Sequence, residues 1–336
     1  MLNTNAHKNY TSSGNFEAEN LLDNVLKEIG NSLQSSNLTI CLGGSYGRGE
    51  GGVRKDSENG ILYNDLDFFV FACKADKKAE KLLHEIAEKY EAQLKIDVDF
   101  SRTMSVKEIR CNAKRLMMQE LKRGYRLVCG KDLLAEYLPE IPAGELPFSE
   151  ACRLLLNRGM GLRFAEEKIT AQAEDADFIL RNINKAILGS GDARLIAEGR
   201  YRWHISQRLE EIEKSDLPEA WKKLYADAVA FKNSPHRNLP EDLWGYFNCV
   251  RKFFQASVLA VAGAESVENI RQAVLEKCIA SKEVSMKNYI KYCLKTRKVH
   301  CNIKYLQMPP VATVLCKLFD QNVCDKELYK QWLKFN

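Results

Sequence analysis

The chain has 336 residues, of which 45% are hydrophobic and 28% charged, and its formal net charge is +5. That length predicts two domains of ordinary globular composition. The charge is too small to argue for nucleic acid by itself, although it suits an anionic small substrate. Eleven cysteines are scattered without a C-x-x-C pair. They read as reduced thiols of a cytoplasmic protein, excluding a disulfide framework and a zinc site. The N-terminal twenty residues are polar and predict no signal peptide, and no apolar run is long enough for a bilayer.

Taken in order, Phe16, Leu21, Leu22, Val25, Leu26, Ile29 and Leu33 fall at helical spacing and predict an amphipathic first helix. "LTICL" (Leu38 to Leu42) is a short, partly β-branched apolar run that predicts a buried strand. It ends at "GGSYGRGEGG" (Gly43 to Gly52). "ILYNDLDFFVFA" (Ile61 to Ala72) predicts a second strand. "KKAEKLLHEIAEKYEAQ" (Lys77 to Gln93) predicts a helix with Leu82, Ile86 and Tyr90 on one face. "LKIDVDF" (Leu94 to Phe100) alternates strictly and predicts a third strand.

The proline- and glycine-containing stretch "PEIPAGELP" (Pro139 to Pro147) marks a domain boundary. The predicted layout is an α/β (α+β) core with a mixed sheet over 1–146, then an all-α region over 147–336 with a further break near 215, at "KSDLPEA". In that region "RNINKAIL" sets Lys185 among apolar residues, and Arg153, Asn157 and Arg158 interrupt a leucine-rich helix. Further on, Lys287, Lys291 and Lys295 stand at i, i+4 and i+8, with Tyr289, Tyr292 and Tyr305 interleaved. Such a stripe keeps nucleic acid open as a partner, although a charge run is usually a solvated helix face. The five histidines (His7, His84, His204, His236 and His300) lack ligand spacing and read as surface or structural.

Within the glycine loop, "GRGEGG" matches the spacing of a dinucleotide turn, but that turn must open a helix whose N-terminus takes the pyrophosphate. After Gly52 the chain instead reads "VRKDSENGILYN", with turn signals and then a strand, so the match is coincidental. The absence of G-K-[ST] excludes a nucleoside triphosphatase loop. The aspartates carry more. Residues two apart on a strand share a face, so Asp65 and Asp67 point one way and Asp97 and Asp99 do the same on the next strand. Two carboxylates about 5 Å apart repel by roughly 3 kcal/mol at an effective dielectric near 20. Clustered carboxylates are tolerated where cations neutralise them, and hard oxygen donors select Mg²⁺ or Mn²⁺.

With these pieces in order, "GGSYGRGE…YNDLDFFVF…KIDVDF" resembles the nucleotidyltransferase superfamily, which includes DNA polymerase beta, poly(A) polymerases and the aminoglycoside nucleotidyltransferases. The resemblance covers roughly 38–134. The layout is most similar to the small-molecule members. It implies a nucleotidyltransferase core in which Gly43, Gly44 and Ser45 hold triphosphate oxygens. It implies Asp65, Asp67 and Asp97 as catalytic metal ligands, with Asp97 ranked over Asp99 as the third carboxylate. Arg48 and Glu50 stand where relatives often carry a charged pair, which implies Arg48 as a nucleotide-binding residue and Glu50 as a further candidate of the site, and Lys185 matches the lysine that a helical domain offers to the triphosphate. The nineteen residues between Ser45 and Asp65 exceed the common family spacer and predict a hairpin or loop beside the site.

The activity so implied is transfer of a nucleoside monophosphate from a triphosphate to an acceptor hydroxyl, most simply that of a small molecule, with no membrane partner. The alternatives are a protein or RNA hydroxyl as acceptor, and a non-catalytic nucleotide sensor.

Overall fold

A computed structural model describes residues 9–34, 36–54, 61–72, 77–298, 301, 303–319 and 325–335. His7, His300, Cys73, Cys324 and the tip of the expected hairpin at 55–60 lie outside the described residues. The layout is α+β, with one small mixed sheet and many helices.

The chain begins with α1 (Phe16–Ser32), whose cap is Asn15: its side chain accepts from the Ala18 N–H. Leu22, Val25, Leu26 and Ile29 form its buried stripe, whereas Phe16 is 81% exposed and does not join the apolar face that its spacing suggests. Then come β1 (Thr39–Leu42), the single turn α2 (Gly44–Gly47), β2 (Leu66–Phe71), α3 (Lys77–Leu94) and β3 (Val98–Phe100). They are succeeded by α4 (Val106–Cys111), α5 (Leu116–Arg123), β4 (Arg126–Cys129) and α6 (Leu133–Tyr137).

The sheet order is β3-β2-β1-β4. β1 runs antiparallel to both its neighbours, and β2 runs parallel to β3. β1 is buried at all four positions because it is central, with helices over both faces. Ile40, Leu42, Phe68 and Val70 pack on one side with Leu22, Ile29, Ile86 and Tyr90; Cys41 and Phe71 pack on the other with Met118, Leu121 and Leu134.

Two strands differ from expectation. β3 starts at Val98 and not near Leu94, because Leu94 still belongs to α3 and helps bury its apolar face. β4 was not legible as a strand: its residues alternate little in burial, and it is held by pairing with β1 across an irregular register.

The remaining helices are α7 (Phe148–Thr170), α8 (Ala176–Ala197), α9 (Ile205–Glu213), α10 (Glu219–Asn233) and α11 (Leu243–Ala262). After them come α12 (Ile270–Ala280), α13 (Met286–Thr296), α14 (Ile303–Leu306), α15 (Pro310–Lys317) and α16 (Asp325–Phe335). α7 and α8 pack along each other, with α11 against α8 and α15 against α7. Asn157 on α7 accepts from the Trp332 indole N–H (2.9 Å), and Arg153 donates to the Phe335 carbonyl (2.9 Å). These two polar residues therefore fasten α7 to α16.

By their contacts the residues fall into two units. Unit 1 comprises 1–142 with 203–205 and 230–236, and unit 2 comprises 143–202, 206–229 and 237–336. The change near 142 falls within the proline- and glycine-containing stretch, but a single cut does not describe unit 1. Two short later segments are built into it.

Candidate functional site

The site can be built outward from Gly43. Its N–H donates to the Asp67 carbonyl (2.8 Å), which places the start of the loop against β2. A Cβ at Gly43 would stand 2.6 Å from the Phe69 ring and 2.7 Å from Leu121, so only glycine fits. Because that N–H is already committed, phosphate binding at Gly43 cannot use it. Gly44 has φ +59°, in the left-handed region, and a Cβ there would collide with the Asp67 carboxylate. The glycine pair thus brings the loop backbone and the Asp67 carboxylate into direct apposition. Ser45 comes next in α2, partly exposed, and its carbonyl accepts from the Glu50 N–H (2.9 Å).

Tyr46 holds the loop to the segment that carries the aspartates. Its ring is fully buried. Its hydroxyl donates to the Gly52 carbonyl (2.9 Å) and accepts from the N–H groups of Tyr63 (3.0 Å) and Asn64 (3.3 Å). Burial pushes the phenol well above its ordinary range, so it stays protonated. The Asn64 side chain accepts in turn from the Gly52 N–H (2.7 Å). Beyond Gly52, Val53 pairs antiparallel with Leu62 and the Arg54 N–H donates to Ile61 (2.9 Å), the stem of a hairpin.

β2 then presents Asp67 opposite Asp99 in the parallel register, and the Leu66 N–H donates to the Asp97 carbonyl (2.9 Å). Paired residues share a face, so Asp67 and Asp99 lie on one side of the sheet, with Asp65 and Asp97 just before the two strands. The Asp99 carboxyl is raised above its ordinary value, first by partial burial and then by Asp65, Asp97 and Glu91. The sequence ranks Asp97 over Asp99, but the register sets Asp99 directly across from Asp67.

Among the described residues, no three His, Cys, Asp or Glu side chains come close enough to hold a common metal ion. The close convergence expected of Asp65, Asp67 and Asp97 is therefore not present as the side chains stand. Like charges spread apart unless a cation draws them together. The donor set still fits a hard cation in kind: carboxylates only, with Asp67 set directly against the backbone of Gly44.

Arg48 and Glu50 pair with each other at 3.4 Å. Glu50 is buried, 1% exposed, and faces inward. It accepts from Lys232 (2.6 Å), from the Ile205 N–H (2.8 Å) and from Arg48 (3.4 Å), and His204 lies 3.9 Å away. Arg48 also reaches Glu120 (3.5 Å). Glu50 is thus the anchor that ties 203–205 and 230–236 to the glycine loop. Trp203 lies under the Arg123 guanidinium (3.9 Å), and Phe231 packs edge-on against Tyr63 and His236. Sequence reasoning passed over Tyr46 and Lys232; the one available signal was a large tyrosine inside a run of glycines.

Beside Asp99, between α3 and β3, lies a groove of about 410 Å³. Its charged lining is Glu80, His84, Glu88, Glu91, Asp99 and Arg102. His84 pairs with Glu88 at 3.3 Å.

In unit 2, Lys185 is half-buried on α8, next to buried Ile183, Asn184, Ala186 and Ile187. Arg181 pairs with Asp177 (3.0 Å), and Asn182 donates to the Phe178 carbonyl (2.9 Å). On α13, Tyr292 is 1% exposed and hydrogen-bonded to Gln331 and Lys317, so it is no platform for a base. Comparison with protein-family models, with curated proteins and with solved structures gives no match.

Proposed function

We propose that the chain is a metal-dependent nucleotidyltransferase that moves a nucleoside monophosphate from a triphosphate to an acceptor hydroxyl, releasing pyrophosphate. The observation that carries this reading is the apposition of Gly44 to the Asp67 carboxylate, with Asp99 in register across the parallel pair. A glycine loop set directly against a carboxylate, with a second carboxylate in register beside it, is an arrangement suited to holding a charged ligand. In phosphoryl transfer the loop and the carboxylates have a joint use, since that chemistry rests on positioning and neutralisation of charge.

In this reading Asp65, Asp67 and Asp97 or Asp99 hold Mg²⁺ or Mn²⁺, which supplies charge neutralisation to the phosphates and lowers the pKa of the attacking hydroxyl. Gly44 admits the triphosphate close to the backbone, and Ser45 offers its hydroxyl. Lys185 is the candidate for balancing charge on the β- and γ-phosphates. Arg48 and Glu50 act on the site through the position of the loop.

A small molecule is the preferred acceptor. The groove beside Asp99 is within the usual size range of ligand pockets, and its acid-rich wall favours a cationic compound. The chain, Mg²⁺ and each of the four ribonucleoside triphosphates, labelled at the α-phosphate, should release pyrophosphate in the presence of a panel of amino-bearing alcohols. Asp67→Asn should abolish this while leaving the circular dichroism spectrum intact. Label entering RNA or protein would identify the acceptor as a macromolecule. Binding without turnover would indicate a sensor, and full turnover by Asp67→Asn would refute the assignment.

A further inference from the structure

We propose that the exposed face of α13 docks on an anionic lipid bilayer. On α13, Met286 (49% exposed), Ile290 (53%) and Leu294 (73%) stand at i, i+4 and i+8, so three aliphatic side chains make one exposed stripe. Lys287, Lys291 and Lys295 stand one position further round and make the stripe beside it. α16 packs behind this face, on the buried side of α13: Tyr292 stacks on Phe335 (5.1 Å, 4°), and Lys295 bonds the Lys334 carbonyl.

From residue 284 to 319 the chain carries seven Lys or Arg and no Asp or Glu. At its margins, Glu283 accepts from the Ser149 N–H and Glu327 from the Gln331 side chain. The surface therefore has a single sign of charge alongside an apolar stripe that no described element covers.

Charge complementarity demands an anionic occupant, and the aliphatic stripe decides which kind. A nucleic acid would be met by aromatic platforms, but Tyr292 is buried, Tyr289 is half-buried and the Tyr305 ring is covered by Arg271 (4.1 Å). Against a phosphate backbone, Ile290 and Leu294 would gain little. At a bilayer interface both stripes are used: the aliphatics enter the headgroup–acyl boundary and the lysines meet the anionic headgroups. The face lies on ordered helix, capped by Ser285 at one end and by Arg297 in the left-handed conformation at the other.

The test is co-sedimentation of the full chain with phosphatidylcholine vesicles and with mixed phosphatidylcholine–phosphatidylserine vesicles. A single-stranded RNA oligonucleotide and a polyglutamate peptide serve as competitors. The chain should bind the mixed vesicles, ignore the neutral ones, and lose binding as salt is raised. The combined change Lys287→Gln, Lys291→Gln and Lys298→Gln should weaken binding on the order of a hundredfold, since each lysine near such a surface contributes about fivefold. Ile290→Ser with Leu294→Ser should weaken it by about tenfold or more at unchanged charge. All five side chains are exposed, so helicity should not change. Equal binding to neutral vesicles, no binding to either, indifference to the Ile290 and Leu294 changes, or displacement by RNA or polyglutamate would each overturn the proposal.

Discussion

Tyr46→Phe removes one oxygen atom and nothing else, yet three backbone groups depend on it. The ring is fully buried, and the hydroxyl serves the Gly52 carbonyl and the N–H groups of Tyr63 and Asn64. A buried backbone group left without a partner costs about 1–3 kcal/mol. Tyr63 is itself buried, 5% exposed, so its N–H carries the full penalty. Gly52 is also buried and Asn64 half-buried, and the Gly52 N–H keeps its bond to the Asn64 side chain, which limits the local rearrangement. Together the loss should be about 2–4 kcal/mol. The matched control is Tyr90→Phe. That ring is equally buried, but its hydroxyl meets Glu28 and Lys89 at the surface, so its loss should cost about 1 kcal/mol or less. Urea unfolding gives the stability difference, and hydrogen exchange over 61–68 reports where it arises. The substitution should raise exchange at Tyr63 and Asn64 selectively, and with it weaken any triphosphate turnover, because Asp65 is the next residue. A Tyr46→Phe protein within about 0.5 kcal/mol of its parent, or indistinguishable from Tyr90→Phe, would show that the hydroxyl does not hold the loop to the aspartate strand.

Glu50→Ala should cost about 3–5 kcal/mol in urea unfolding, because it removes a buried counter-charge from Lys232 and leaves the Ile205 N–H unbonded; a loss below about 1 kcal/mol would deny the anchor. Asp99→Asn should stabilise the chain at neutral pH. Its carboxyl is raised in the fold, so ionisation is disfavoured there, and stability should fall as pH rises from the unfolded carboxylate value through the folded one; the variant should lack that fall, and the same pH slope in both proteins would count against it. Gly44→Ala should lose triphosphate binding, measured by calorimetry with Mg²⁺, because the methyl collides with the Asp67 carboxylate and displaces it; parental affinity would remove the loop from the phosphate site. Lys185→Ala should weaken the same affinity by roughly ten- to a hundredfold if the ammonium makes a charge-assisted bond to phosphate, and an unchanged constant would leave it an apolar-edge lysine.

What was legible in the sequence was local. Asp67 and Asp99 could be placed on strand faces because alternation has a fixed period of two, and the register of β2 on β3 sets them opposite each other. The extent of α1 could be read from its stripe and its Asn15 cap. β4 was not legible, since four residues of mixed character become a strand only by pairing with β1. Nor was the role of Glu50, whose partners Ile205 and Lys232 lie 155 and 182 positions away. A charged residue in a glycine loop looks solvent-facing or ligand-facing until the segments that bury it are known.

That distant anchoring bears on how the candidate site is held. Three of the contacts that hold the loop between Gly43 and Gly52 use different kinds of bond. Gly43 is tied to β2 through the backbone, Tyr46 to the approach of Asp65 through a buried hydroxyl, and Glu50 to 203–205 and 230–236 through a buried charge. The first two set the distance between the loop and the aspartates. The third does not touch the carboxylates, so its loss should lower stability first and alter binding only as far as the loop moves. Comparing Glu50→Ala with Tyr46→Phe at equal residual stability separates these roles. If turnover falls in step with unfolding for Glu50→Ala, but beyond it for Tyr46→Phe, the loop-to-strand distance governs the chemistry and the buried charge governs only the fold.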